Sequence, residues 1–223
     1  MNIARWVLIA AIAAGASYVA SWGLPLASGV GVAWKGAGVG LLAVYAALMA
    51  RGTDGWLLAA VMALGAAGDV LLETNGLAVG AAAFLAGHLT AVWLYLRNRR
   101  EPLPGLDRIL APALALAVVA TAFALPADRA GAPMAAVYAI GLGAMAGAAW
   151  ISRFPRRMTA LGALMFVASD MLLFLRTGRP TLQTPAMGLA VWGLYFAGQT
   201  LIVLGVTRTL SAARSRHPDP LAA

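Results

Sequence analysis

Long apolar segments separated by short polar ones recur along the whole 223-residue chain. Each is roughly 17 to 23 residues long, enough for an α-helix to cross a hydrocarbon core of about 30 Å. The pattern predicts an all-α, polytopic membrane protein with eight transmembrane helices, at residues 3–21, 31–50, 56–72, 76–96, 108–125, 133–151, 158–175 and 186–207. An alternative interpretation of the first segment is a secretory signal peptide, since Arg5 precedes it and Tyr18-Val-Ala-Ser21 resembles a cleavage site.

The composition supports this prediction and narrows the chemistry. Apolar residues make up 62% of the chain and charged residues only 11%, too few polar groups to cover a soluble domain of this size. There is no cysteine, so disulfides and thiolate chemistry are excluded. We predict a single transmembrane domain over residues 1–210 and a disordered cytoplasmic tail over residues 211–223, where arginines and prolines interrupt the apolar pattern.

The net charge of +8 is distributed unevenly along the chain. With the N-terminus inside, twelve of the sixteen cationic residues fall in cytoplasmic segments, while Arg129, Arg176 and Arg179 fall in outer loops and Lys35 within the second helix. Because cationic residues concentrate in cytoplasmic loops, we predict cytoplasmic termini and a bacterial-type inner (plasma) membrane location. The arginines are then topology determinants and contacts for anionic lipid, so no nucleic-acid partner is expected. The oligomeric state stays open.

Two acidic residues, Asp69 and Asp170, lie deep inside predicted helices. A carboxylate at membrane depth costs about 2.5 to 3.5 kcal/mol on insertion scales, so an intramembrane acid marks a functional site by default. Counting from Trp56 and Met158 at 1.5 Å per residue places both about 18 to 20 Å from the cytoplasmic side. Both are therefore candidate catalytic groups in the outer half of the bilayer. The competing interpretation is a polar clamp between helices or a pairing with Lys35.

Further polar residues are predicted to form a column from the outer mouth to slightly past the midplane. Lys35 is either a phosphate or charge partner or a lysine that snorkels to the nearby interface. A lone buried histidine is often a packing residue, and hydroxyl and amide side chains commonly join transmembrane helices. The candidate substrate-binding residues are Lys35, Glu73, His88, Tyr138, Ser169, Tyr195 and Gln199.

The two halves of the chain contain similar segments. Gly68-Asp69-Val70-Leu71-Leu72 aligns with Ser169-Asp170-Met171-Leu172-Leu173 about one hundred residues later, and Phe84-Leu-Ala-Gly-His88 aligns loosely with Phe196-Ala-Gly-Gln199. The pattern is consistent with a parallel repeat of four plus four helices, related by a pseudo-twofold axis along the membrane normal. Chance similarity between Ala/Gly/Leu-rich helices is the competing explanation.

Several catalytic motifs are absent from the sequence. There is no Gly-x-Ser-x-Gly elbow and no His-Glu-x-x-His helix. Because His88 and His217 are the only histidines, a three-histidine zinc site cannot be built, although a carboxylate-rich metal site remains possible. The sequence favours acid–base catalysis by carboxyl groups, and we expect neither a metal nor a cofactor.

The polar residues fall in five motifs, namely Gly68-Asp69-x-Leu-Leu, Phe84-x-x-Gly-His88, Tyr138 with Met145, Gly162-Ala-Leu-x-Phe-Val-x-Ser-Asp170 and Tyr195-Phe-Ala-Gly-Gln199. Together they resemble the YhhN family, the lysoplasmalogenase-like membrane proteins, over all eight helices. The resemblance implies an eight-helix fold and hydrolysis of the vinyl ether bond of lysoplasmalogens to a fatty aldehyde and a glycerophospho-base. This sequence departs from the family pattern where Gly36 follows Lys35 in place of a common proline, and where Ala66-Ala-Gly68 replaces a serine-containing stretch.

The implied chemistry suits two carboxyl groups. A vinyl ether is hydrolysed by rate-limiting protonation of its outer alkene carbon, and water then captures the oxocarbenium ion. Two neighbouring carboxyl groups at low dielectric do not both ionise easily, so one can hold the proton while the other carries the stabilising charge. The hypothesis is that Asp69 and Asp170 divide these roles and Lys35 meets the phosphate of a lysophospholipid in the membrane. The other polar residues then line the pocket or hold the water.

Two further classes of function compete with a hydrolase. One is a proton-coupled transporter of a small or lipid-like solute, which would use the same intramembrane acids. The other is a non-catalytic lipid-binding protein whose carboxylates are structural clamps. A transporter needs a polar route to both sides, whereas the inner halves of the predicted helices are nearly devoid of polar residues.

Overall fold

The computed structural model describes residues 3–216 of the chain. Within this range the chain forms eight long helices and no strand, and each helix is long and apolar enough to cross a membrane. The predicted fold class is therefore confirmed. The helices are α1 Ile3–Ser17, α2 Ser28–Met49, α3 Gly52–Thr74, α4 Leu77–Arg97, α5 Gly105–Ala124, α6 Ala132–Ile151, α7 Leu161–Arg176 and α8 Pro185–Arg216.

The helices differ from the predicted segments mainly at their ends. A 3₁₀ turn, Tyr18–Gly23, extends α1, and a single π-helical turn, Arg156–Ala160, precedes α7. α3 begins at Gly52, four residues before the predicted start, because hydropathy ignores a polar first turn in which Asp54 favours the helix N-terminus. α8 continues to Arg216, so residues 211–216 of the predicted tail are helical. Residues 217–223 lie outside the described part, and the division into one domain and a tail stays a prediction.

Short connections make consecutive helices antiparallel. Ala50 and Arg51 join α2 to α3, and Asn75 and Gly76 join α3 to α4. Gly76 has a φ of 87°, a left-handed conformation that glycine adopts at little steric cost and that allows this two-residue turn. The C-terminal ends of α1, α3, α5 and α7 consequently meet the N-terminal ends of α2, α4, α6 and α8 at one end of the bundle, here called the pocket end.

Glycines allow two pairs of helices to cross closely. A Cβ atom on Gly162 of α7 would lie 2.5 Å from the carbonyl oxygen of Gly198 on α8, and the reverse distance would be 2.6 Å. A Cβ atom on Gly38 of α2 would lie 2.9 Å from Cα of Gly15 on α1. Helices in lipid associate through close packing rather than through hydrophobic burial, so these contacts fix the helices that surround the site.

A buried carboxylate joins the connections at the end opposite the pocket end. Asp107, in the first turn of α5, is 5% exposed. It accepts hydrogen bonds of 3.0 Å from Arg100, 2.6 Å from Arg156 and 2.9 Å from the Trp150 indole. Because these partners come from the α4–α5 connection, α6 and the π-helical turn, Asp107 fixes three parts of the chain at once.

The helices of the two halves pack differently. α2 packs along α3, whereas the corresponding pair α6 and α7 touches in far fewer places, and α6 packs instead on α4 and α5. The parallel repeat of four plus four helices and the orientation of the termini in the membrane stay predictions.

Candidate active site

A cavity of about 440 Å³ opens at the pocket end, with walls from α2, α3, α7 and α8. Its lining includes both intramembrane acids, Asp69 from α3 and Asp170 from α7, which are 3% and 8% exposed. Asp69 lies five residues before the end of α3, and Asp170 lies six before the end of α7. At 1.5 Å per residue both carboxyl groups are about 8 to 9 Å below the helix ends, at matched depths.

A tyrosine on α8 holds Asp69. The Tyr195 hydroxyl donates a hydrogen bond of 2.8 Å to Oδ2 of Asp69. Gln199, one helical turn further along α8, lies beside Tyr195, and both side chains approach Gly65 of α3. A Cβ atom at residue 65 would lie only 2.9 Å from Nε2 of Gln199. The glycine therefore gives the Tyr195–Gln199 pair the space it needs next to Asp69.

Tyr138 holds Asp170 by a hydrogen bond, and His88 in turn bonds Tyr138. The Tyr138 hydroxyl on α6 donates a hydrogen bond of 2.8 Å to Oδ2 of Asp170 and lies 2.9 Å from Nε2 of His88 on α4. A phenol has a single proton, so when Tyr138 donates it to Asp170, His88 is the donor to Tyr138 through Nε2–H. His88 is 3% exposed and packs edge-on against Phe166, with 5.0 Å between the ring centroids. The imidazole thus supports Asp170 from outside the cavity.

The tyrosine bonds occupy only one oxygen of each aspartate. Among the described residues, Oδ1 of Asp69 and Oδ1 of Asp170 have no hydrogen-bond partner, and neither atom is sealed away from solvent. Both aspartates line the same cavity. Two carboxyl groups with one free oxygen each, facing one cavity, can deliver a proton and stabilise a positive charge on the same bound molecule.

An ion pair forms the outer part of the same wall. Nζ of Lys35 on α2 lies 2.6 Å from Oε1 of Glu73 on α3, and their side chains are 14% and 43% exposed. Glu73 is one helical turn outward from Asp69, as the spacing predicts. Lys35 does not form an ion pair with either intramembrane aspartate, because its ammonium group bonds Glu73 instead.

Ser169 lines the cavity, but its hydroxyl group connects α7 to α8. Its hydroxyl donates a hydrogen bond of 2.9 Å to the backbone carbonyl of Val191 on α8. Six of the nine predicted site residues line the cavity, whereas His88, Tyr138 and Gln199 lie behind the lining. The six are Lys35, Asp69, Glu73, Ser169, Asp170 and Tyr195. The structure brings all nine to one region of the bundle, and the role of each stays a prediction.

Aromatic side chains and one arginine, Arg176, complete the cavity, and except for Tyr195 they were not predicted from the sequence as site residues. The rings of Phe84, Phe166 and Tyr195 meet edge-on, with centroids 5.0 to 6.1 Å apart, and close it on the side away from its mouth. Trp192 lines one side and donates a hydrogen bond of 2.8 Å to the Gly15 carbonyl of α1. An aromatic residue in an apolar helix does not by itself indicate a binding site. Only its spacing along the sequence from a polar site residue could have identified it.

No group of three or more His, Cys, Asp or Glu side chains converges in residues 3–216 in a way that could hold a metal ion. The cavity contains three carboxylates, and one of them, Glu73, bonds Lys35. The expectation that the protein uses no metal stays a prediction.

The fold and the site define an integral membrane protein that encloses a pair of acids in a cavity open at one end of its helix bundle. The YhhN family model matches residues 30–206, which include all nine predicted site residues. The chain belongs to the YhhN family.

Two curated relatives share part of this sequence. The proteins named lysoplasmalogenase from Mycobacterium bovis (strain ATCC BAA-935 / AF2122/97) and Mycobacterium tuberculosis (strain CDC 1551 / Oshkosh) are each 32% identical to it over 160 residues. The match covers 67% of this chain and 59% of each relative. No solved structure matches the chain.

Proposed function

We propose that this protein hydrolyses the vinyl ether bond of lysoplasmalogen-type lysophospholipids, producing a fatty aldehyde and a glycerophospho-base. The relatives named lysoplasmalogenase support this substrate class. The observation that carries the proposal is the pair of aspartates, Asp69 and Asp170, which line one cavity with one oxygen each held by a tyrosine. This arrangement fits a reaction that needs one acid and one anionic stabiliser.

In the proposed reaction one aspartic acid gives its proton to the outer alkene carbon. The alkene electrons form the new C–H bond, and the ether oxygen shares the resulting positive charge as an oxocarbenium ion. The second aspartate stabilises this cation and takes a proton from the water that attacks its carbon. The hemiacetal then collapses: the second aspartic acid gives its proton to the glycerol oxygen, the C–O bond to glycerol breaks, and the hemiacetal hydroxyl returns its proton to the first aspartate as the aldehyde forms. Water is the only co-reactant, and the two carboxyl groups end as they began.

The tyrosines keep each carboxyl group in a fixed orientation. Tyr195 and Tyr138 both bond an Oδ2 atom, so both Oδ1 atoms stay directed to the reacting group. Fixed placement of an acid and a base of this kind increases the reaction rate roughly 10²- to 10⁴-fold. Electrostatic stabilisation of the cation increases the rate further. The hydrocarbon chain of the substrate lies among the apolar helices, and its polar end faces the cavity mouth.

The proposal includes an orientation. Most arginines of the described helices lie at the end opposite the cavity, including the group around Asp107. Under the rule that cationic residues stay inside, the termini are cytoplasmic and the cavity opens to the outer side of an inner (plasma) membrane. Labelling of a single cysteine introduced at exposed Asp128 in intact cells, and not of one introduced at exposed Arg157, would support this orientation.

The direct test is aldehyde release from a defined lysoplasmalogen by the purified protein in detergent. Asp69→Asn and Asp170→Asn should each lower the rate by at least about 10² while the protein still unfolds cooperatively on heating. Asp128→Asn, the same change at an exposed loop residue of the pocket end, should leave the rate unchanged. No aldehyde from folded wild-type protein would refute the proposed substrate. Active asparagine variants would refute the role of the carboxyl groups.

A transporter would require a polar path beyond the cavity. Beyond the aromatic rings, the described helices pack through fully buried apolar side chains such as Met62, Leu94 and Leu142. Flux of a labelled lysolipid across proteoliposomes without hydrolysis would favour the transporter over the hydrolase.

A further inference from the structure

The mouth of the cavity contains an arginine that the proposed reaction does not use. Arg176 is the last residue of α7, is partly buried, and lines the same cavity as Asp170. Hydropathy assigns this position to an outer loop, because the apolar segment ends one residue earlier. In the structure it belongs to the helix that carries one of the two acids.

The guanidinium group of Arg176, unlike the other cationic groups nearby, has no partner within the part of the chain that the structure describes, although the backbone carbonyl of Arg176 accepts a hydrogen bond from Gln183. The Arg176 side chain forms no ion pair and donates no hydrogen bond there. Lys35 is neutralised by Glu73 at 2.6 Å. Arg179 donates to the backbone carbonyls of Leu125 and Leu175 at 2.6 and 2.5 Å. The cavity therefore presents one guanidinium group whose charge no side-chain carboxylate balances.

The distance between Arg176 and the acids matches the substrate class. Arg176 lies six positions after Asp170 on α7, which corresponds to about 9 Å along the helix axis. In a lysoplasmalogen, seven bonds separate the outer alkene carbon from the phosphorus atom. An extended chain advances about 3.3 to 3.6 Å for every three bonds, so these two atoms lie roughly 8 Å apart. A lipid with its alkene at the aspartates would have its phosphate at the level of Arg176.

We propose that Arg176 binds the phosphate of the lysophospholipid and so fixes the vinyl ether beside the aspartates; this inference rests on the proposed function. A guanidinium group presents paired N–H donors that match two phosphate oxygens, whereas an ammonium group acts as a point charge. Lys35, which the sequence predicts at the phosphate, is instead bonded to Glu73. Arg176 thereby selects lipids with a phosphate over neutral ether glycerides of the same chain length.

The test uses binding, so that it does not depend on turnover. The probes are a 1-O-alkyl-lysophosphocholine, which has the phosphate but a saturated ether, and a 1-O-alkylglycerol of equal chain length. Fluorescence of Trp22 and Trp192, which line the cavity, reports binding in a non-ionic detergent. The variants are Arg176→Gln, Arg176→Lys, and Arg157→Gln as a control that removes the same charge from an exposed residue at the opposite end.

We expect Arg176→Gln to bind the phosphate-containing probe at least about tenfold more weakly than wild type and to bind the alkylglycerol equally well. Arg176→Lys should recover part of the loss, and Arg157→Gln should match wild type. On lysoplasmalogen, Arg176→Gln should raise KM more than it lowers kcat. Unchanged binding of the phosphate probe, or an equal loss for both probes, would overturn the proposal.

The outcome is separable from the proposed hydrolysis. Wild-type protein that releases no aldehyde but prefers the phosphate probe through Arg176 would refute the hydrolase and leave the phosphate site standing. Aldehyde release from wild-type protein, with no effect of Arg176→Gln on the binding of either probe, would support the hydrolase and refute the phosphate site.

Discussion

The Tyr138 hydroxyl donates a hydrogen bond of 2.8 Å to Oδ2 of Asp170. On its other side the same oxygen lies 2.9 Å from Nε2 of His88. Three helices, α4, α6 and α7, thus meet at one phenol group. Because His88 and Tyr138 lie behind the cavity lining, their effect on a bound molecule must pass through the orientation of Asp170.

Tyr138→Phe tests this orientation. We expect the variant to fold, because only one oxygen atom is lost, and to lower kcat about tenfold or more, since a hydrogen bond to a charged group contributes about 1.5 to 3 kcal/mol. KM should change little, because Tyr138 does not line the cavity. The measurement is steady-state aldehyde release.

Tyr95→Phe is the matched control for that change. The Tyr95 hydroxyl is buried on α4 and has no hydrogen-bond partner among the described residues, so its removal should leave kcat unchanged and should not lower stability. Equal rates for Tyr138→Phe and wild type would rule out the positioning role.

The hydrogen bonds between the tyrosines and the aspartates show which features of the site could be predicted from the sequence and which could not. The depths of Asp69 and Asp170 follow from counting residues along apolar segments, since each residue adds a fixed rise. Depth does not determine which side of a helix faces which neighbour, so the bonds from Tyr195 on α8 and from Tyr138 on α6 were not predictable. The position of Arg176 was missed because hydropathy does not extend a helix into its polar last turn.

Close packing of α7 and α8 is expected to be essential for the site. Gly162→Ala should lower the free energy of unfolding by about 1 to 3 kcal/mol, because the new Cβ would meet the Gly198 carbonyl oxygen at 2.5 Å. Activity should fall as well, since separation of α7 from α8 moves Asp170 away from Asp69, which Tyr195 of α8 holds. Gly193→Ala on α8 is the control, because a Cβ there has nothing within 4 Å. Equal thermal stability of the two variants would contradict this account of the crossing.

The Lys35–Glu73 ion pair should stabilise the cavity wall as a unit. Lys35→Met alone leaves Glu73 unpaired one turn from Asp69, so it should destabilise the protein more than Lys35→Met combined with Glu73→Gln. A double-mutant cycle on the free energy of unfolding is expected to give a coupling of about 1 kcal/mol, in the range of partly exposed pairs. Additive effects would mean that the pair at 2.6 Å contributes no net stability.

The proposed chemistry predicts which ether the protein cleaves and how the rate responds to heavy water. Proton transfer from a carboxyl group to carbon limits the hydrolysis of a vinyl ether, so kcat for a lysoplasmalogen should be lower in D2O than in H2O. The matched 1-O-alkyl lipid has no alkene to protonate and should bind without releasing aldehyde. Its binding constant should be the same in both solvents, which separates an effect on chemistry from an effect on the protein. Cleavage of the saturated ether, or an equal kcat in the two solvents, would show that Asp69 and Asp170 do not act by rate-limiting protonation of carbon.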